Sequence, residues 1–125
     1  MSTIKVGTLL AADGSTTTQP SIPALDKRMA KAWVKFRGAD TLTIRDSYNV
    51  SRITDNGVGN YSMNFTTAMD NAHYGAVCNG SHYNWDSIYS IISSSNASHL
   101  RIGATRAANN VFSDSDIITG VVFAN

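Results

Sequence analysis

The sequence predicts an all-β protein, an antiparallel β-sandwich of jelly-roll-like topology with an extended N-terminal arm and one short helix. Three observations predict it. The nine acidic residues are all Asp, while Ser, Thr, Asn and Gly are abundant; Glu favours helices, whereas Asp, Asn, Ser and Gly favour turns and caps. Short segments with alternating or continuous apolar character recur at the spacing of sandwich strands, separated by turn residues. Near the middle, "NVSRITDNGVGNYSMNFTTAM" (49–69) carries the punctuation of a β-hairpin.

The chain of 125 residues is one domain's worth and can bury a core without staples. Its first 23 residues, "MSTIKVGTLLAADGSTTTQPSIP", hold one short strand candidate (Ile4 to Leu10), an Asp13-Gly14 turn, a Thr run and two prolines. Such a segment cannot make a core alone. It reads as an arm whose apolar residues, Ile4, Val6, Leu9, Leu10 and Ile22, gain order by lying against the domain, a sister subunit or a larger assembly. The domain itself spans 24–125.

In "ALDKRMAKAWVKFRG" two periods compete. Leu25, Met29, Ala32 and Trp33 recur at helical spacing behind Pro23, which suits a first turn; Ala30, Ala32, Val34 and Phe36 alternate with Lys31, Trp33, Lys35 and Arg37 as in a strand. The expectation is a short helical segment, Ala24 to Ala30, handing over to a strand, Lys31 to Arg37. The cations Lys27, Arg28, Lys31, Lys35 and Arg37 resemble an anion site, but the strand reading puts Lys31, Lys35 and Arg37 on a solvated face.

The hairpin follows. On its near side Leu42, Ile44, Tyr48 and Val50 alternate with Thr43, Arg45, Ser47 and Asn49; on its far side Tyr61, Met63 and Phe65 alternate with Ser62, Asn64 and Thr66. Asn56-Gly57 and Gly59-Asn60 tolerate positive φ and reverse the chain. Tyr74 to Cys78, Ile88 to Ser93, Leu100 to Arg106 and Ile117 to Ala124 are the remaining strands, making about seven in the domain.

Chemistry is harder to find. His73, His82 and His99 match neither a helical i,i+4 pair nor a zinc framework. No G-x-S-x-G context or phosphate-cradling glycine loop occurs, and nothing pairs two of the aspartates for glycoside hydrolysis. "DSD" at 114–116 could bring carboxylates together for calcium, but reads as a polar turn before the last strand. No enzyme, cofactor or metal site is expected. Cys78, the single cysteine, lies in "YGAVCNG" and reads as a small buried residue. The formal net charge of +1 supplies no general attraction to nucleic acid or an anionic membrane. Neither a signal-peptide pattern nor an apolar run long enough for a bilayer span is present, so synthesis in a cytoplasm without membrane insertion is expected, and the N-x-[ST] sequons carry no weight. One local feature rises above background. "HYNWDSIY" places His82, Tyr83, Trp85 and Tyr89 within eight residues, a flat aromatic surface suited to sugars or a protein partner, or else a plug folded into the sandwich end.

"AWVKF", "IRDSYNVSRITDNGVGNYSMNFTTAM" and "DSDIITGVVF" together resemble a domain common in tail-fibre and other virion-appendage proteins of tailed bacteriophages, including marine and cyanobacterial phages. The resemblance covers roughly Ala30 to Asn125, and "STIKVGTLLAADGSTTTQPSIP" is similar to the short leader of such proteins. It implies a structural role at the virion surface, commonly as a homotrimer without catalysis, in contact with other capsid or tail proteins. Because Met1 stands so close to the domain, a short fibre or capsid decoration is expected rather than the tip of a long fibre. The alternative is a host-glycan-binding adhesin module working through His82, Tyr83, Trp85 and Tyr89.

Overall fold

The computed structural model describes residues 1–16, 20–81 and 87–124, with 87–95 described by their backbone. One helical turn, α1 (Pro23–Asp26), precedes eight strands: β1 (Ala32–Arg37), β2 (Thr43–Tyr48), β3 (Val50–Asp55), β4 (Asn60–Phe65), β5 (Gly75–Ser81), β6 (Ser87–Ser95), β7 (His99–Arg106) and β8 (Ile117–Phe123). All pair antiparallel, in the order β2-β1-β8-β5-β6-β7-β4-β3.

β5 and β6 share only two residue pairs, Gly80 with Ile88 and Ser81 with Ser87. The ladder folds over there into a β-sandwich. β2-β1-β8-β5 form one layer; β7-β4-β3 form the other, with β6 lying along β7 and crossing to β5. β5, β6 and β7 are successive neighbours, β8 returns beside β5, and β4 lies beside β7. These are two overlapping Greek keys, the jelly-roll-like arrangement the sequence predicts.

The core is what period-two alternation dictates. From β1 come Ala32, Val34 and Phe36; from β8, Ile118 and Val122; from β4, Tyr61, Met63 and Phe65; from β7, Leu100, Ile102 and Ala104. Phe36 meets Tyr61 edge-to-face across the layers at 5.2 Å between ring centroids, a favoured aromatic geometry. Gly120 keeps the layers close: a β-carbon there would lie 3.2 Å from Ile102 Cδ1 and 3.3 Å from Met63 Sδ.

β1 resolves the competing periods in favour of the strand. Lys35 points to solvent, while Lys31 and Arg37 are half-buried on the same outer face, and Arg37 pairs with Asp40 and lies 3.4 Å from Asp116. The expected helix Ala24 to Ala30 shortens to α1. Its backbone continues only as turns, in which Arg28 and Met29 N–H donate to Leu25 O, before Lys31 N–H donates to Val122 O at 2.8 Å and the sheet takes over.

Two further expectations are corrected. The near side of the hairpin is two strands rather than one, since the chain reverses at Asn49 with φ 53°; the hairpin closed by Asn56 to Gly59 joins β3 to β4, and the described residues form eight strands. The strand candidate Ile4 to Leu10 forms no strand, because no sheet edge in its own chain pairs with it.

Candidate functional site

Three places in the fold gather polar or apolar groups beyond what the core uses: the seat of the arm, the corner at Asn49, and the contact between the β3-β4 loop and the segment before β8.

The arm turns at Ala11 to Gly14, where Gly14 (φ 76°) donates its N–H to Ala11 O at 2.8 Å and Ser15 N–H donates to Asp13 Oδ1 at 2.8 Å. This brings Leu9 and Leu10 beside Trp33 and Tyr48 on the outer face of β1 and β2, around a shallow pocket of about 630 Å³ that Met29 and Pro20 also line. The seat is incomplete. Ile4 is 87 %, Val6 64 %, Leu9 59 % and Leu10 42 % exposed, while Ile22 is half-buried beside α1. The chain exposes 8088 Å², against about 6,500 Å² for a compact monomer of 13.4 kDa.

A second groove, about 890 Å³, opens on the other side of Tyr48. Its walls are polar: Ser21, Asp26 and Lys31 on one side, Ser47, Thr66, Thr67 and Asp70 on the other. Asn49 builds its floor. The side-chain N–H₂ donates to Lys31 O at 3.0 Å and Thr67 O at 3.1 Å, and Oδ1 accepts from Thr67 N–H at 2.7 Å. One asparagine thus ties β1, the β2-β3 corner and the segment after β4, and its left-handed backbone is one that Asn tolerates. Sequence reasoning placed Asn49 as an outward strand residue and missed this.

Asp114 is the other pin. Its Oδ1 accepts from Gly59 N–H at 2.8 Å and from the Tyr61 hydroxyl at 2.7 Å. Burial, reinforced by this carboxylate, pushes the Tyr61 hydroxyl well above the usual tyrosine range. Gly59 (φ 62°) admits no β-carbon, which would lie 2.5 Å from Ala104 O and 2.6 Å from Ser113 N. Within "DSD", Asp114 pins a loop, Ser115 is buried and Asp116 faces Arg37; no cluster of three metal-ligating side chains occurs among the described residues.

Of the aromatic stretch, His82, Tyr83 and Trp85 lie outside the described residues, and Tyr89 belongs to β6, where its backbone pairs with Thr105. His99 sits at the start of β7 with its ring nitrogens beside the Asn96 amide, and His73 lies in the loop before β5. Cys78 is half-buried on the inner face of β5, its thiol pushed up to about 11 by burial. No described helix is long and apolar enough to cross a membrane.

Comparison with protein-family models, with curated proteins and with solved structures gives no match for this chain.

Proposed function

We propose that this chain is a structural protein of a tailed-bacteriophage particle, a homotrimeric surface appendage of the short-fibre or capsid-decoration kind, docked through its N-terminal arm. The observation that carries the reading is the contrast within one chain. A sandwich with its own buried core is preceded by an arm whose Ile4, Val6 and Leu9 stay mostly in water. Each such side chain gains roughly 1.5 to 3 kcal/mol on burial, against ordering costs of about 1 to 2 kcal/mol per residue. An arm of this composition becomes ordered when a partner also satisfies its backbone. The resemblance of 30–125 to virion-appendage domains supplies the setting.

Deleting residues 1–23 tests it. The truncated protein should keep its β-sheet circular dichroism yet fail to join particles, whereas antibodies against the full chain should label intact virions. Full occupancy by the truncated protein would remove the arm as anchor.

The groove beside Tyr48 favours a second reading, host-glycan binding. An aromatic ring flanked by Ser47, Thr66, Thr67 and Asp70 offers a stacking face with hydroxyl and carboxylate partners, the combination sugars need. A glycan array on the full-length protein, repeated with Tyr48→Ala, decides it: binding that the substitution abolishes supports an adhesin, and an empty array removes that function.

A further inference from the structure

Unpaired sheet edges invite added strands, and natural sheets guard them with charges, bulges or prolines. Among the described residues four edges are unpaired: the outer sides of β2 and β3, and the stretches where β5 and β6 part, Gly75–Asn79 of β5 and Tyr89–Ser95 of β6, the last interrupted by an irregularity at Ile92/Ser94. The first two are guarded. β2 carries Arg45 and Asp46 opposite an irregularity at Lys35/Phe36, and β3 carries Arg52 and Asp55 with an irregularity at Val50/Arg52. The β5 stretch has no charge and no proline, and its register with β8 runs unbroken from Gly75 to Ser81. Its inner face is also unfinished. Ala76 and Cys78 are only half-buried, whereas the equivalent residues of β4 are fully covered, and on the outer face Val77 is 65 % exposed.

The same chain holds a segment with the complementary lack. "IKVGTLL" (4–10) has the apolar content of a strand but pairs with no strand, and among the described residues Ile4 and Val6 are the most exposed large apolar side chains after Met1, apart from Val77. Period two puts Ile4 and Val6 on one face and Lys5 on the other. We propose that residues 4–10 of one copy of this chain add as a strand to the Gly75–Asn79 edge of a second copy. Ile4 and Val6 then turn inward over Ala76 and Cys78, and Lys5 faces solvent. Main-chain hydrogen bonds would supply affinity and the alternate side chains register, as in other strand additions. The occupant is a second copy because in its own chain Leu9 and Leu10 lie beside Trp33 and Tyr48, which leaves Ile4 and Val6 and the β5 edge uncovered. The surface agrees: the chain exposes about 1,600 Å² more than a compact monomer of its mass, above the roughly 800 Å² that each partner gives to a standard protein interface. The inference rests on the self-association in the reading above but is independent of the virion.

The test uses full-length protein carrying Ile4→Cys or Val6→Cys with native Cys78, oxidised mildly, beside the same variants with Cys78→Ser. Residues on one face of paired strands come close enough for a disulfide. An inter-chain disulfide in at least one variant, lost with Cys78→Ser, is the expected result. In parallel, hydrogen exchange at Gly75–Asn79 should slow by about tenfold between roughly 1 and 100 µM protein, as mass action requires. An intrachain disulfide would show the arm folding back and overturn the choice of occupant. A stable trimer with neither disulfide nor protection would overturn strand addition while leaving self-association intact. A monomer at both concentrations by sedimentation velocity would overturn both.

Discussion

β4 and β5 are built on the same alternation and end in opposite states. β4 has a partner on each side, β3 and β7, and its inner residues Tyr61, Met63 and Phe65 are large and almost wholly buried. β5 pairs along its length with β8 alone, and its inner residues Ala76, Cys78 and Gly80 are small and half-buried. Alternation therefore tells which side of a strand faces inward; the volume of the inward residues tells how firmly the opposite layer closes on it. Where β5 presents small side chains, β6 pairs for two residues and departs, and the sandwich is left thin at that edge.

The comparison is broken most severely at β4. Tyr61→Ala removes the ring that meets Phe36 and the hydroxyl held by Asp114, in a fully buried position. It should cost about 3 to 5 kcal/mol in chemical denaturation, as other large aromatic-to-alanine changes do. Tyr61→Phe separates the two contributions. If the alanine variant lost no more than the phenylalanine one, the closed side would owe its stability to the hydrogen bond rather than to packing.

Next in size is Asp114→Ala, which strips an acceptor from Gly59 N–H and from the Tyr61 hydroxyl. The hydroxyl keeps a longer bond to Gly38 O at 3.3 Å, but Gly59 N–H has no second acceptor in view. A loss of about 1 to 3 kcal/mol is expected for a buried donor left without its partner. A double-mutant cycle with Tyr61→Phe should show coupling between the two sites, and strict additivity would mean that the 2.7 Å contact contributes nothing.

On the open side the same kind of substitution should do little. Val77→Ser, at a side chain 65 % exposed on the outer face of β5, should change stability by no more than about 0.5 kcal/mol in dilute protein. A loss as large as that at β4 would mean the outer face of β5 is covered.

This division explains which parts of the fold were legible in the sequence. The β3-β4 turn was, because Gly57 and Gly59 announce positive φ locally, and so was the inward row Tyr61, Met63, Phe65. The competition in "ALDKRMAKAWVKF" was visible, although its outcome required β8: the hydrogen bond from Lys31 N–H to Val122 O joins residues far apart in sequence. Asn49 was not legible. A single left-handed residue interrupts a run whose apolar residues Leu42, Ile44, Tyr48 and Val50 keep one period on either side of it, and only the bonds it makes to Lys31 and Thr67 reveal it as a corner. Asp114 was invisible for the same reason, since the groups it pins lie more than fifty residues upstream. The polar groove beside Tyr48 is likewise assembled from segments no local pattern connects.

The last test is a titration, and it compares the two strands directly. Burial raises both Tyr61 in β4 and Cys78 in β5, the thiol from an ordinary 9.0 to about 11. A group whose folded pKa lies above its unfolded one contributes stability that is complete below the unfolded value and lost as pH rises through the folded one. For Cys78 that window runs from about pH 9 to about pH 11, and the difference in stability between wild type and Cys78→Ala should shift only within it. Tyr61 begins to act above its ordinary value of 10.0 and is common to both proteins. At pH 8 the native thiolate should be about a hundredfold scarcer than that of an unperturbed cysteine, and alkylation should slow in proportion. Denaturant should restore the ordinary rate. If Cys78 in folded, dilute protein reacted as fast as in denaturant, the inner face of β5 would be wet rather than thinly covered, and its small residues would mark an opening into the sandwich instead of its edge.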